Sequence, residues 1–275
     1  MISTKTQNLI RYDLIRSFDF SAFVSKIPNS WHEFEKFLTA EAFQSLYKTF
    51  PDVSLFEKQV GRYRGTQKPH DRYLLSYEDS IYHQAGYEGK GIIRHHQLAE
   101  PWQKLIEELE RSNGYKTFVE SILRTSKFKF RYEWHLGFKR TSISPHVDIQ
   151  WKLGSHLFYF NTPEDWDPKW GGSTLILAGK KTGQKQPAEF RDFLQSIPVS
   201  NIGERSLLMK NTPDAWHGVK SLRQPEGKFR KIFMVFFVSE DFSAERWLSD
   251  SFRVILKHTK SLKPKKLRSR AKVSR

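Results

Sequence analysis

The 275-residue sequence predicts an α+β protein with a mainly β core, in which helices come first and a sandwich or jelly roll follows. Three observations predict this. Before Ser126 the chain carries helix caps and helix stops. After Ser126 the hydrophobic period changes to two. Several short strand candidates then follow, separated by Gly, Pro and Asn turns.

Residues 1–60 read as mixed helix, with Thr39 capping a helix at 40–50 that Pro51 stops. Residues 61–98 read as a polar loop. A second helix has Pro101 in its first turn, acids early and Glu107 four residues before Arg111, and it ends at Asn113-Gly114. A third covers 115–124. Then Phe128, Phe130, Tyr132, Trp134 and Leu136 alternate with Lys127, Lys129, Arg131, Glu133 and His135, the pattern of a half-buried strand. Further strands are expected at 142–149, 153–161, 172–178, 206–211, 215–219 and 229–238. A helix is expected at 188–197 and a closing helix at 244–257. The resulting division is one domain over 1–258, made of a helical cover and lid (1–125), a β-core (126–240) and the closing helix (241–258). A basic tail occupies 259–275.

Apolar residues make up 38% of the chain and include 22 Phe, enough for a sizeable aromatic core. There is no Cys, which excludes disulfides, thiolate metal sites and cysteine nucleophiles. Any metal must therefore be held by His and carboxylate. The net charge of +16 is uneven: residues 253–275 contain ten Lys or Arg and no acid, leaving +6 for the rest. Such a tail is expected to be disordered, either solubilising the chain or touching an anionic surface such as lipid headgroups, polyanionic glycan or nucleic acid. The first residues lack a signal-peptide apolar run, and no long apolar stretch exists, so a cytoplasmic location is expected.

His146-Val147-Asp148 is the feature that points to chemistry. Residues i and i+2 of a strand share a face, so both side chains point the same way. With a distant His217, they make two imidazoles and one carboxylate. That set can hold one face of a ferrous ion and leave positions open for substrate and oxygen. Zinc would prefer a closed tetrahedron or a third His.

Five ordered pieces carry a resemblance: 144–148 (Ser-Pro-His-Val-Asp), 158–161 (Phe-Tyr-Phe-Asn), 170–175 (Trp-Gly-Gly-Ser-Thr-Leu), 214–219 (Asp-Ala-Trp-His-Gly-Val) and 227–230 (Gly-Lys-Phe-Arg). Together they resemble the iron(II)- and 2-oxoglutarate-dependent dioxygenases of the double-stranded β-helix fold, in the branch that includes prolyl hydroxylases. The resemblance spans roughly residues 130–240. It implies Fe(II), 2-oxoglutarate and O2 as partners in oxidative decarboxylation to succinate and CO2, coupled to hydroxylation of an aliphatic C–H. It implies His146, Asp148 and His217 as metal ligands. It also implies Arg230 as the clamp on the far carboxylate of 2-oxoglutarate, with Lys228 and then Lys220 as substitutes.

Some relatives place a Ser two residues after that Arg; that position is Ile232 here, so a second contact must come from elsewhere. Tyr132, Trp134 and Tyr159 are the candidates. Asp148 argues against a halogenase, and Phe236 stands where the nucleic-acid demethylases carry a second Arg. His156 could line the pocket, but packing is the favoured reading. Trp170-Gly171-Gly172 reads as scaffold.

The expected lid holds Arg62, Arg64, His70, Arg72, Tyr73 and the pair His95-His96. Residues 68–73 could grip an anionic or sugar-like substrate, or form a solvated loop. Adjacent residues on a strand face opposite ways, so His95 and His96 cannot both ligate one metal. The expected substrate is a small-molecule or sugar-like biosynthetic intermediate, with a peptide prolyl residue as the alternative. A non-catalytic jelly-roll binding protein, or a nucleic-acid binder acting through its tail, are the readings from other classes.

Overall fold

The computed structural model describes residues 8–61, 70–78, 90–181 and 187–241. Two short helices, α1 (Tyr12–Arg16) and α2 (Phe20–Ser25), lead to strand β1 (Trp31–Glu35) and helix α3 (Ala40–Lys48). Thr39 caps α3 through its hydroxyl, which accepts from the Ala42 amide at 3.2 Å. Strands β2 (Glu57–Gln59), β3 (Arg72–Tyr77) and β4 (Ile92–Ile93) follow, then helices α4 (Glu100–Glu110) and α5 (Thr117–Leu123). Non-helical backbone at Asn113 and Gly114 separates those two helices, as the Asn-Gly pair predicts. The remaining strands are β5 (Phe128–Gly137), β6 (Ile143–His146), β7 (Lys152–Tyr159), β8 (Thr174–Lys180), β9 (Phe193–Val199), β10 (Arg205–Lys210), β11 (His217–Val219) and β12 (Arg230–Ser239).

The strands form two sheets. The major sheet runs β1-β10-β7-β12-β5-β3-β2, with β4 beside β3, and the minor sheet runs β6-β11-β8-β9. Every pairing is antiparallel except β3 with β4. The result is a jelly roll with helices covering one face. Trp31, Leu157, Tyr159, Leu207 and Ile232 of the major sheet pack against Ile176 and Val199 of the minor one. On its other face the major sheet buries Phe130, Tyr132, Trp134, Phe233 and Phe237 against Trp102, Leu105 and Leu109 of α4 and Phe118 and Ile122 of α5. Trp102 and Leu109 sit seven residues apart on one helix stripe, and both are fully buried. Each buried side chain of this size contributes roughly 1.5–3 kcal/mol.

Several expectations need correction. The region 1–60 is not simply helical, because β1 and β2 lie in it. The stretch 61–98 is not only loop, because β3 and β4 do. In β3, Arg72 and Ser76 share a face with Leu74, so the sequence shows no clean alternation to read. Residues 188–197 form no helix: a 3-10 turn at Phe190–Asp192 leads into β9. Phe190, Phe193, Leu194 and Ile197 have helical spacing, but β9 is the edge strand of the minor sheet, with Leu194 left 73% exposed. An edge strand also tolerates Pro198. The expected strand 142–149 stops at His146. The closing helix, the basic tail, Arg62 and Arg64 lie outside the described residues. Among the described residues no helix is long and apolar enough to cross a membrane.

Candidate functional site

His146 ends β6 and pairs directly with His217, which opens β11. Their rings lie 4.3 Å apart, centroid to centroid. Asp148 stands two residues beyond the strand, in the turn leading to β7. That corrects the expectation of one shared strand face. The turn is held by Asn211, whose side-chain amide donates to the carbonyls of Asp148, Ile149 and Lys152 at 3.2, 3.1 and 2.7 Å. Ligand atoms of His146, Asp148 and His217 all lie within 4.8 Å of one another. This is the one such group among the described residues.

Both imidazoles are held the same way. Nδ1 of His146 lies 2.9 Å from the carbonyl oxygen of Ser144, and Nδ1 of His217 lies 2.9 Å from that of Ala215. A carbonyl only accepts, so Nδ1–H donates and the Nε2 lone pair is left for a metal. Gly218 follows because β11 runs tight against β6: a Cβ there would come within 2.8 Å of the Ile143 carbonyl oxygen. Burial, then the neighbouring His217, push the His146 pKa down to about 3, so it is neutral at physiological pH. Burial would raise the Asp148 pKa, but Lys152 and the two imidazoles reverse this and hold it well below the usual carboxylate range. The donor set is therefore two imidazoles and one carboxylate, which suits a divalent metal.

Lys152 was not anticipated. It is buried, lies 3.4 Å from Asp148 Oδ1 and sits over the Phe236 ring at 3.9 Å. Its only sequence signal is a cation four residues after the Asp. Among the described residues of the expected lid, His70 approaches the metal group, with its ring 4.9 Å from that of His146, and Arg72 lies near Glu133 and His135 of β5. Tyr73 packs instead on Phe138 and Phe229, and His95 bonds Tyr77.

Arg230 opens β12 and is only 4% exposed. Its Nε donates to the Gly172 carbonyl and its Nη2 to Thr174 Oγ1, at 2.5 and 3.1 Å. Thr174 Oγ1 also accepts from the Tyr159 hydroxyl at 2.8 Å, and the guanidinium lies 5.5 Å from the Tyr159 ring centre. Gly172 has φ +100°, and a Cβ would lie 2.7 Å from Asn201 Nδ2 and 3.2 Å from Arg230 Cδ. The Gly-Gly pair thus lets backbone approach the guanidinium. Burial lowers the Arg230 pKa to about 10, which leaves it cationic. Among the described residues no carboxylate pairs with it. A buried cation without a counter-ion is costly, so this pocket fits an anionic ligand.

The other candidates separate cleanly. Lys228 and Lys220 are exposed. Tyr132 and Trp134 lie on the helix-covered face of β5: the Tyr132 hydroxyl donates to Glu110, and Trp134 packs on Trp102 and Phe233. A one-residue parity step puts Glu133 and His135, which sequence reasoning passed over, on the opposite face. His156 is fully buried, with Nδ1 and Nε2 at 3.0 and 2.9 Å from the hydroxyls of Tyr115 and Ser206, so it packs as favoured.

No protein-family model matches the chain, and a search of curated proteins finds no match. Solved structures do match. A prolyl-4-hydroxylase from Pseudomonas putida superposes with a TM-score of 0.51 at 14% identity, covering 80% of this chain and 98% of that one. A 2OG-Fe(II) oxygenase family oxidoreductase from Burkholderia pseudomallei gives 0.46 at 14% identity, covering 80% and 89%. A prolyl hydroxylase from Trichoplax adhaerens, in complex with a hypoxia inducible factor peptide fragment, gives 0.45 at 14% identity, covering 78% and 85%. The first likeness shows that this chain shares the fold of the Pseudomonas enzyme.

Proposed function

We propose that the protein is an Fe(II)- and 2-oxoglutarate-dependent hydroxylase. It oxidises an aliphatic C–H of a small-molecule or sugar-like intermediate and releases succinate and CO2. The observation that carries this reading is the coexistence of two half-sites: the His146, Asp148, His217 group and the buried Arg230 without a counter-ion. A metal site alone would fit many chemistries. A metal site together with an anion pocket at the end of β12 fits a co-substrate that chelates at one end and carries a carboxylate at the other.

His146 Nε2, His217 Nε2 and an Asp148 oxygen hold Fe(II), with both tautomers fixed by the backbone carbonyls. Iron and 2-oxoglutarate, when bound, supply the oxidising chemistry. Arg230 receives the far carboxylate through the guanidinium donors that Gly172 and Thr174 leave over. The Tyr159–Thr174 contact fixes the wall of that pocket.

A second reading, hydroxylation of a peptide prolyl residue, draws on the fold likeness to the Pseudomonas prolyl-4-hydroxylase. Anaerobic addition of Fe(II) and 2-oxoglutarate to the purified protein should produce the weak visible metal-to-ligand band. No band with wild type, or a full band with His146→Ala, would sink the proposal. Succinate release stimulated by a prolyl peptide and not by small molecules would favour the second reading.

A further inference from the structure

Glu133 and His135 stand two residues apart on β5, on the side that looks toward the minor sheet. The register fixes that side. His135 pairs with Ile232 of β12, which pairs with Tyr159 of β7. Ile232 and Tyr159 pack against Ile176 of β8, the partner of His217. The two residues therefore face the space between the sheets that the metal group also faces.

His135 Nε2 lies 2.8 Å from Glu133 Oε2, and the residues are only 7% and 4% exposed. A carboxylate accepts only, so Nε2 carries the proton. In a neutral ring Nδ1 then keeps its lone pair. Burial, with Arg72 nearby, pushes the His135 pKa down to about 4. Burial would raise the Glu133 pKa, but the His135 hydrogen bond and the nearby Arg72 and Lys152 outweigh it and keep the carboxylate ionised. Beyond Glu133, His135 hydrogen-bonds no other described residue. A buried acceptor oriented by a buried carboxylate is an expensive element to leave without a partner, here among the hydrocarbon of Ile232 and Met234 and the nearby cations Arg72 and Lys152.

We propose that His135, oriented by Glu133, is a substrate-positioning residue whose Nδ1 accepts a hydrogen bond from a hydroxyl or amine N–H of the substrate. This deepens the hydroxylase reading and rests on it. The co-substrate is no partner for Nδ1, because 2-oxoglutarate presents only acceptors. A prolyl ring itself has neither hydroxyl nor N–H, so a prolyl peptide would reach Nδ1 only through the donor of a neighbouring residue. A polyhydroxylated or amino-bearing small molecule carries the donors on the reacting molecule itself.

The test observes the imidazole itself. The full chain, labelled with nitrogen-15 histidine, is supplied with Zn(II) and 2-oxoglutarate, and the His135 ring nitrogens are assigned with His135→Gln. The expected spectrum has Nε2 protonated and Nδ1 bare. Glycerol and ethylammonium, as donor probes, should shift Nδ1, whereas acetate should not. In Glu133→Gln the tautomer preference should fall and the donor response with it. If that variant fails to fold, the wild-type titration decides alone. A protonated Nδ1, a response to acetate but not to donors, or no response to any probe overturns the assignment. The visible band with Fe(II) and 2-oxoglutarate is measured on the same wild-type preparation. A full band with an unresponsive Nδ1 rejects the substrate contact only. No band with a responsive Nδ1 rejects the hydroxylase reading and with it the substrate role, leaving His135 as a donor-binding imidazole.

Discussion

His146 and His217 are directly opposed across β6 and β11, with ring centroids 4.3 Å apart and each ring tied to the carbonyl two residues before it. The sheet register therefore sets the metal group, and Asp148 is added from a turn. Replacing either imidazole removes one of three donors without touching the hydrophobic layers. In His146→Ala or His217→Ala, Fe(II) affinity is expected to fall by at least about 100-fold, the upper end of what loss of a supporting contact alone does. The metal-free melting temperature should stay close to wild type. Metal titration by calorimetry and a thermal melt with chelator check the two parts.

Arg230 gives the second prediction. Lysine at that position keeps the charge but loses the planar fork held by Gly172 and Thr174. Arg230→Lys is expected to raise KM for 2-oxoglutarate about 10- to 100-fold, equivalent to about 1.4–2.8 kcal/mol, with a smaller change in kcat. Steady-state succinate release at varied 2-oxoglutarate reads the split. An unchanged KM would remove Arg230 from the anion pocket.

Gly172 supports the same pocket from behind. Its φ of +100° is one that an L side chain rarely adopts, and an added Cβ would press on Asn201 and on Arg230 Cδ. Gly172→Ala is expected to cost roughly 1–3 kcal/mol of stability and to weaken 2-oxoglutarate binding together with it. Gly171→Ala, where a Cβ meets nothing within 4 Å but φ is +82°, should cost stability alone. Denaturant melts beside 2-oxoglutarate titrations separate the two glycines.

How much of this was legible in the sequence follows from which groups carry local signals. The cap of α3, the Pro101 start of α4, the alternation of β5 and the ordered motif pieces were all readable, because each depends on neighbours in the chain. Placing Asp148 on the strand failed because the turn after His146 is organised by Asn211, some sixty residues away. The Phe190–Val199 segment was misread because its apolar residues satisfy a helical period, while edge pairing with β8 decides its conformation. Tyr132 and Trp134 stood among the candidates for the second contact, whereas Glu133 and His135 did not. Only the cross-strand register shows which face of β5 looks at the site. Lys152 left no motif: a buried lysine reads like a surface lysine until the fold places it beside Asp148.

The buried imidazoles make stability depend on pH in a fixed direction. His135 titrates at about 4 and His146 at about 3 in the folded protein, whereas the unfolded residues titrate near 6.5; His156 is also pushed well down by burial. Between those values the unfolded chain binds protons that the folded chain refuses, so stability falls as pH drops below about 6.5. Each such group contributes a slope of roughly 1.4 kcal/mol per pH unit while that condition lasts. Glu133 acts in the same direction lower down: its stabilisation is full above about 4.5 and is lost as pH falls through about 2. The metal-free protein should therefore melt at clearly lower temperature at pH 5 than at pH 7. His156→Gln should be less stable at pH 7 yet show a shallower acid slope, because one refused proton is gone. Thermal melts from pH 7.5 to 4.5 in chelator measure both. A flat profile in wild type would show that these imidazoles are not buried neutral in solution.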